Sequence, residues 1–229
     1  ALVDPRARVC WMCVPRIDSP ALFASLLGGD RAGSFDVVPG RADLAASQTY
    51  DGDTYTLRTC FGAESDPELE VLDYLDTSSG RPFQRAGRTD LIRVISGRGR
   101  AIVRFAPRLD FGRVATTIRV REGGLEIVGS ADPLALYSPG VAWEVTQDGP
   151  HHTAHASIDL SRGPVTLELR AGAASLRPNP IEEPKRRDAS RRAWSGWAQQ
   201  LMLPALMPQL VRRSALVIKA LCYGPTGAI

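Results

Sequence analysis

The chain has 229 residues, of which 44% are hydrophobic and 23% charged, as in an ordinary globular protein. Its 28 basic and 25 acidic residues are interleaved and give a net charge of +3, which argues against a nucleic-acid partner. No apolar stretch reaches the roughly 20 residues of a membrane span, and residues 1–4 do not begin a secretory signal. We therefore expect a cytoplasmic protein without a membrane partner.

Short apolar runs, separated by Gly, Pro and Asp, follow one another from about Arg8 to Gly172. In Val165–Arg170 the apolar residues occupy every second position, which predicts a strand with one buried and one wet face. Many strands with little helix predict a mainly antiparallel β-sandwich of two sheets. The predicted strands are Arg8–Val14, Ser34–Val38, Thr54–Phe61, Leu69–Leu75, Asp90–Ser96, Arg100–Phe105, Ala115–Arg121, Leu125–Gly129, Ala135–Tyr137, Ala142–Gln147, His152–Asp159 and Val165–Arg170.

One early helix is predicted at Pro20–Leu27, since Ser19-Pro20 offers a cap and a first-turn proline and Gly28-Gly29 a stop. Residues 177–187 are polar and proline-rich without an apolar period, which predicts a linker. Two helices are predicted after it, at Asp188–Met202 and Gln209–Tyr223. The second carries a broad apolar stripe that must pack against something. The residues of this stripe are Leu210, Ser214, Val217, Ile218 and Leu221.

We divide the chain into a β-sandwich domain at 1–176, a linker with a helix at 177–205, and the start of a further domain at 206–229. An apolar stripe so close to the C-terminus is typical of a truncated larger protein. A C-terminal helix that docks on the sandwich is the alternative. Without a further domain, the stripe predicts a homo-oligomer formed through this helix.

Four segments carry motifs: W-M-C-V-P-R-I-D-S-P at 11–20, D-L-I-R-V-I-S-G at 90–97, P-R-L-D-F-G-R at 107–113, and R-S-A-L-V-I-K-A-L then Y-G-P-T-G-A-I within 213–229. In this order they resemble the N-terminal half of bacterial glucoamylase- and trehalase-like proteins of glycoside hydrolase family 15. The first is similar to D-W-L-C-x-P-R-F-D-S-P, from which Cys10 and Ile17 depart. The third is similar to P-R-F-D-Y-G-R.

This resemblance implies a β-supersandwich, a helical linker and, from 206–229 onward, the first helix of a catalytic (α/α)₆ barrel. Such enzymes hydrolyse α-glucosidic bonds with inversion, using one carboxylate as acid and another to activate water. In the family both catalytic Glu residues lie in the barrel, beyond this sequence. The resemblance therefore assigns no catalytic residue here, predicts inactivity for the chain alone, and names the barrel, in cis or missing, as its partner.

Arg16 and Asp18 are the candidate substrate-rim residues. Their guanidinium and carboxylate groups suit the vicinal hydroxyls of an α-glucan or trehalose at a barrel mouth. The structural alternative is that Asp18 or Ser19 caps the helix at Pro20 while Arg16 pairs with Asp18.

Another set of residues is assigned structural or interface roles. Arg108, Asp110 and Arg113 are typical of an ion-pair network at a sheet edge, with a ligand site as the alternative. Two tryptophans at helical spacing are expected to pack the linker helix on the sandwich or the barrel, and Trp11 and Trp143 to lie in the core. The remaining structural or interface residues are Trp11, Pro15, Trp194, Trp197 and Lys219.

No cofactor and no metal site is predicted. Cys10 and Cys13 have the C-x-x-C spacing of redox and zinc sites, but residues three apart on a strand point to opposite faces. No second close pair completes a zinc tetrahedron. His151 and His155 share one strand face without a neighbouring Cys, Asp or Glu, which disfavours metal ligation.

Three functional hypotheses follow. The first is a non-catalytic domain that supports a glycoside hydrolase barrel and shapes its active-site rim. The second is a stand-alone carbohydrate-binding module, for which exposed tryptophans would supply a stacking surface. The third is a hydrolase of which this chain is one part.

Overall fold

The computed structural model describes residues 1–78, 88–222 and 226–227. Short strands dominate as far as residue 171, and two longer helices follow. The strands are β1 Leu2–Val3, β2 Arg8–Cys13, β3 Ala21–Phe23, β4 Ser34–Pro39, β5 Ala46–Tyr50, β6 Leu57–Ala63, β7 Asp66–Leu75, β8 Thr89–Gly97, β9 Arg100–Ala106, β10 Thr117–Arg121, β11 Gly124–Val128, β12 Leu134–Tyr137, β13 Glu144–Asp148, β14 His151–Asp159 and β15 Val165–Ala171. The helices are α1 Ser25–Gly28, α2 Leu109–Gly112, α3 Glu183–Ala198 and α4 Pro208–Leu221.

Within the described residues these strands form two antiparallel sheets. The first has seven strands, in the order β1-β2-β4-β9-β14-β13, with β3 paired to β2 off this path. The second has eight strands, in the order β10-β11-β12-β15-β8-β7-β6-β5. The predicted mainly β, two-sheet sandwich is therefore confirmed.

Strand β9 shows how the sequence pattern produces this architecture. Ala101, Val103 and Phe105 alternate with Ile102 and Arg104, and the first three are fully buried. Since successive side chains on a strand point to opposite faces, one face of β9 enters the core. The aromatic rings of Phe23, Phe35 and Phe105 meet there, with centroids 5.1–6.2 Å apart.

The predicted helix at Pro20–Leu27 is wrong. Ala21–Phe23 is instead strand β3, which is followed by the short helix α1 at Ser25–Gly28 and a 3₁₀ turn at Gly29–Ala32. All three residues of β3 are buried, and Ala21 and Phe23 pair with β2. Tertiary burial of this apolar triplet therefore overrides the helix-start signal. Consequently neither Asp18 nor Ser19 caps a helix here; α1 has Ala24 at its N-cap, without a side-chain hydrogen bond.

The predicted wet face of β15 is also wrong. Leu167 and Leu169 enter the core as expected, but Glu168 and Arg170 on the opposite face are only 3% exposed. Helix α3 covers that face, and its Arg186 forms an ion pair with Glu168. Both faces of β15 are therefore buried, one by apolar side chains and the other by paired charges.

The C-terminal helices differ in their bounds from the predicted ones. Helix α3 begins at Glu183, within the stretch predicted as linker, with Pro184 in its first turn, where a missing N–H costs nothing. Helix α4 runs from Pro208 to Leu221, and Tyr223, where the predicted helix ends, lies outside the described residues. Among the described residues no helix combines the length and apolarity needed to cross a membrane.

Arg93 joins the two sheets from inside the core. On β8 it lies opposite Asp73 of β7, and its Nε donates to Asp73 Oδ1 at 2.6 Å. Its two terminal nitrogens donate to backbone carbonyls across the sandwich, at 2.6 Å to Phe35 and 2.5 Å to Ala7. The guanidinium also lies over the Phe35 ring, 4.7 Å from its centroid. One fully buried cation thus satisfies acceptors from both layers.

Arg108 performs a similar task at one end of the sandwich. Its side chain is fully buried, and Nη2 donates to Asp148 at 2.8 Å and to Thr153 Oγ1 at 3.1 Å. Nη1 donates to the carbonyl of His152 at 3.1 Å. The loop after β9 is therefore fixed to the β13–β14 hairpin by one guanidinium.

Replacing Arg93 with Met should lower the free energy of unfolding by about 3–5 kcal/mol, because the Asp73 carboxylate stays buried without its cation. Urea unfolding followed by tryptophan fluorescence measures this. Arg98→Met is the matched control, since Arg98 pairs with Asp66 at the surface, and it should cost less than about 1 kcal/mol. Equal costs for the two variants would contradict the role given to Arg93.

His151 should make stability depend on pH. It is buried beside Thr116, and burial, followed by the Arg108 charge, lowers its pKa below the ordinary 6.5. As pH falls through 6.5 the unfolded chain then binds more protons than the folded one, so stability decreases. Urea unfolding from about pH 7 to 5 should show a shallower loss for His151→Gln than for the wild type. Identical slopes would argue against this effect.

Candidate functional site

A cleft of about 420 Å³ opens between one end of the sandwich and the two C-terminal helices. Three aromatic side chains line it: Trp11 from β2, Tyr55 from the loop before β6, and Trp194 from α3. The rings of Tyr55 and Trp194 lie 5.2 Å apart between centroids and are inclined by 36°. Burial raises the pKa of Tyr55 to about 12, so its phenol is a neutral O–H at physiological pH.

Polar side chains line the same cleft where β7 ends and β8 begins. Asp76 lies immediately after β7; its Oδ1 accepts from the Ser78 N–H at 2.8 Å and its Oδ2 from Arg186 at 3.2 Å. Asp90, on β8, accepts from Arg88 at 2.8 Å. An arginine therefore balances the negative charge of each carboxylate and fixes its orientation.

Arg16 and Asp18, the predicted rim residues, lie beside this cleft, which Ile17 lines. They form an ion pair with each other, in which Arg16 Nε donates to Asp18 Oδ1 at 2.8 Å. This hydrogen bond lowers the pKa of Asp18. Both side chains are exposed, at 44% and 61%. Pro15 directly precedes them. Its carbonyl accepts a hydrogen bond from the buried Thr89 hydroxyl at 2.6 Å, which fixes the start of this segment to β8.

The structure separates the predicted group of Arg108, Asp110 and Arg113. Arg108 is buried and pairs with Asp148, whereas Arg113 lies at the surface, 3.9 Å from Asp110. These residues flank the turn α2 and are not on a sheet edge. Asp110 and Phe111 both have positive φ, of 49° and 58°, a conformation that non-glycine residues rarely adopt.

Two of the sequence motifs meet through Trp11 and Phe111. Their ring centroids are 5.9 Å apart, and Arg113 lies over the Phe111 ring at 5.5 Å. Phe111 is 40% exposed. Trp11 and Trp143 were both expected in the core, and both are half-buried. Trp11 lies on β2, and Trp143 lies just before β13.

Helix α3 is fixed to the sandwich by buried charges. The Arg186 guanidinium forms ion pairs with Glu168 and Asp76, and all three side chains are at least nine-tenths buried. The Tyr74 hydroxyl donates to Glu183 at 3.0 Å, and the Thr77 N–H donates to Ser190 Oγ at 3.0 Å. The C-terminal half of α3 adds apolar packing, in which Trp194 is buried and Trp197 half-buried.

Helix α4 packs on α3 and on the turn before β6. Leu216 is fully buried against Trp194 and Ala198. Arg213 donates to the carbonyls of Thr54 and Gly52, both at 2.7 Å. Lys219, one of the predicted interface residues, is half-buried near the end of this helix.

The cysteines and histidines do not converge on a metal site in the described part of the chain. All four cysteines are free thiols. Burial is the main cause that raises the pKa of both Cys10 and Cys13, which keeps them protonated. His152 Nδ1 lies 3.2 Å from the Ile118 N–H, and His151 contacts Thr116 instead.

Sequence reasoning missed most of the cleft. Tyr55 lies within the predicted strand Thr54–Phe61, but β6 begins only at Leu57 and Tyr55 belongs to the loop before it, so the strand prediction did not mark it as a lining residue. Asp76 and Thr77 directly follow a correctly placed strand, and polar residues at a strand end are the signal that could have drawn attention to them. The sequence predicts that Trp194 packs the linker helix, but its ring also lies against Tyr55, a residue far away in the sequence. A local pattern does not reveal that contact.

Comparisons with known proteins cover the same region. The model of the family described as trehalase-like, N-terminal matches residues 1–194. A trehalase of Thermoplasma acidophilum is 24% identical over 229 residues, which cover 99% of this chain and 39% of that protein. Trehalases of Mycobacterium tuberculosis and Mycolicibacterium smegmatis are 24% and 25% identical, covering 100% of this chain and 36% and 37% of those proteins.

The chain therefore spans little more than a third of the length of these relatives, and it corresponds to their N-terminal part. Since the family model covers both sheets and most of α3, the fold and the match describe the same unit. The chain belongs to the family of trehalase-like N-terminal domains.

Proposed function

We propose that this chain is the non-catalytic N-terminal part of a glycoside hydrolase acting on α-glucosidic bonds, of the glucoamylase or trehalase type of family 15. In this role it supports a catalytic (α/α)₆ barrel in cis and shapes the rim of its active site. The observation that carries the proposal is helix α4, which is firmly fixed on one side and apolar on the other.

The fixed side of α4 carries half-buried charged side chains. Arg213 donates to two backbone carbonyls of the 52–54 turn and lies over the Tyr50 ring, 4.0 Å from its centroid. Arg212 forms an ion pair with Asp53 at 2.9 Å. Together with the buried Leu216, these contacts set the orientation of the helix relative to the sandwich.

The opposite side of α4 exposes large apolar side chains. Leu210 is 59% and Ile218 51% exposed, and Leu221 extends the same stripe. A mainly apolar face, interrupted only by Ser214, on a helix whose other side is fixed is typical of a surface that another element covers. In the proposal, the helices of the barrel that follow α4 pack on this face, and α4 is the first of them.

The domain division belongs to the same proposal: a sandwich at 1–176, a linker at 177–205 and the start of the barrel at 206–229. Arg16 and Asp18 are the proposed rim residues, because they are exposed, paired with each other and adjacent in sequence to Ile17, which lines the cleft. Their donors and acceptors suit sugar hydroxyls. The cytoplasmic location expected from the sequence also remains part of the proposal.

The 229-residue chain should release no glucose from trehalose, maltose or starch. In the proposed role both catalytic carboxylates lie outside it. A coupled glucose assay, with an active trehalase as positive control, measures this. Any turnover that increases in proportion to the concentration of the purified chain would overturn the non-catalytic role.

The exposed face of α4 should make the isolated chain self-associate. Ile218→Glu should shift the chain towards monomer in sedimentation velocity without lowering its thermal stability, because a charge there removes only exposed apolar area. Leu216→Ala, two residues away but buried, is the matched control and should lower the free energy of unfolding by about 2–5 kcal/mol. A wild-type chain that stays monomeric at all concentrations would contradict an unpartnered face.

A further inference from the structure

We propose that His151 is a pH-sensitive switch for the turn α2: when its imidazole takes up a proton, the turn opens and Phe111 separates from Trp11. Such a switch acts within this chain and is independent of the supporting role and of any barrel. It requires an imidazole that is held by the turn, surroundings that resist a positive charge, and a turn that is strained when closed.

The imidazole of His151 lies between strand β14 and the turn, and the residue is 8% exposed. Its Nδ1 lies 3.3 Å from the Thr116 hydroxyl oxygen, and its Nε2 lies beside Gly112 of the turn. The same Thr116 oxygen accepts from the Leu109 N–H at 3.0 Å, and Leu109 begins the turn. The ring therefore contacts the end of the turn directly and its beginning through Thr116.

Protonation reverses the hydrogen bond between His151 and Thr116. A neutral imidazole can accept the Thr116 hydrogen at Nδ1 when Nε2 carries the ring proton, whereas both nitrogens of an imidazolium are donors. The Thr116 hydroxyl then has to turn its hydrogen to another acceptor, and the Val114 carbonyl lies 3.3 Å away. The contact that joins β14 to the turn therefore differs between the two charge states.

The buried Arg108 opposes a positive charge on His151. Its Nη2 donates to Asp148 at 2.8 Å and to Thr153 at 3.1 Å, and its Nη1 donates to the His152 carbonyl at 3.1 Å. These bonds hold the guanidinium in place, so it cannot move away from an imidazolium. Asp148 lies opposite His151 in the strand register and acts in the opposite sense, but it is 59% exposed and already paired with Arg108. Burial, and after it the Arg108 charge, lowers the pKa of His151.

The charged and titratable residues of the turn and of β14 beside His151 are engaged elsewhere. Asp110 and Arg113 lie 3.9 Å apart as an ion pair. His152 is directed to β10, where its Nδ1 lies 3.2 Å from the Ile118 nitrogen. The first two residues of β10, which follow Thr116 in the sequence, are uncharged. The imidazolium is therefore disfavoured as long as the closed turn keeps the ring buried.

The turn is strained when closed. Asp110, Phe111 and Gly112 have φ values of 49°, 58° and 82°, and only glycine adopts this left-handed conformation without a steric cost. A backbone hydrogen bond from the Val114 N–H to the Leu109 carbonyl, at 3.2 Å, closes the turn. Strained backbone persists only where surrounding contacts hold it. Unfavourable contacts at the neighbouring imidazole therefore favour opening of this turn in particular.

Opening of the turn changes the surface beside it. Phe111 is 40% exposed, and its ring centroid lies 5.9 Å from that of Trp11. When the turn opens, Phe111 moves away and the half-buried Trp11 ring becomes more exposed. Acid pH therefore uncovers an aromatic side chain that neutral pH keeps in contact with the turn.

The direction of the pH effect follows from the proton affinities of the two forms. In the closed turn the pKa of His151 lies below the ordinary 6.5, whereas a hydrated ring in the open turn returns towards that value. As pH falls through 6.5 the open form binds more protons than the closed one, so its population rises. Between pH 7 and pH 5 this rise is at most about 25-fold, and it levels off below the pKa of the closed form.

Native-state hydrogen exchange of the 229-residue chain at about pH 7 and pH 5 tests the switch, since it measures local opening after correction for intrinsic exchange rates. The Val114 N–H should open several-fold more at pH 5, within the limit of about 25-fold. The Gly163 N–H, bonded to the Leu160 carbonyl at 3.1 Å in a separate turn, should not change. His151→Gln should remove the pH dependence at Val114, whereas His155→Gln, the matched control on the same strand, should retain it.

Two results of this experiment would refute the switch. One is a wild-type chain in which opening at Val114 rises no more than opening at Gly163, a result that needs no variant. The other is a rise that His151→Gln and His155→Gln reduce equally. If His151→Gln does not fold, an NMR titration of the wild type decides, because opening at Val114 then has to follow protonation of the His151 ring, and a rise at a different pH excludes that ring as its cause.

The separation of Phe111 from Trp11 has its own measurement. Acrylamide quenching of tryptophan fluorescence should increase from about pH 7 to pH 5 in the wild type, because the Trp11 ring becomes more exposed. Trp11→Phe removes this fluorophore and should show no such increase. An equal increase in both chains would show that the quenched tryptophan lies elsewhere and would contradict the release of Phe111.

Discussion

The ion pair between Arg93 and Asp73 sits where the two sheets face each other, and the geometry of the sandwich depends on it. A guanidinium in this position has to be fully satisfied, because a buried cation without partners is strongly destabilising. Here the partners come from β7 in one sheet and from the backbone near β2 and β4 in the other. The pair therefore fixes the relative position of the layers, which apolar packing alone specifies less sharply.

The same principle operates on the outer face of the second sheet. Glu168 and Arg170 on β15 would face water in an ordinary sandwich, but α3 covers them and supplies Arg186. Charges buried in this way are worth little as net stabilisation but tolerate only one arrangement of their partners. The position of α3 on the sheet is therefore well defined, and it determines the positions of Trp194, of α4 and of the cleft between the sandwich and the two helices.

Much of the fold could be predicted from local patterns. The alternation in β9 and β15 identifies strands, and the prolines and glycines delimit them. The helix predicted at Pro20–Leu27 failed because Ala21–Phe23 pairs with β2 and Phe23 packs on the rings of Phe35 and Phe105, and a local helix-start pattern does not contain these tertiary contacts. The face of β15 was misassigned for the same reason, since its cover begins at Glu183. The cleft could not be predicted from local sequence patterns, because its lining residues come from segments far apart in the chain.

The long sequence separation of the contacts made by α3 and α4 has a consequence for synthesis. Arg213 contacts Thr54 across 159 residues, and Glu183 contacts Tyr74 across 109. A nascent chain leaves the ribosome N-terminal end first, so β6, β7 and β15 are complete before either helix emerges. During that interval Tyr74, Glu168 and Arg170 lack their cover. When the helices dock, the outer face of the sheet passes from hydrated to dry.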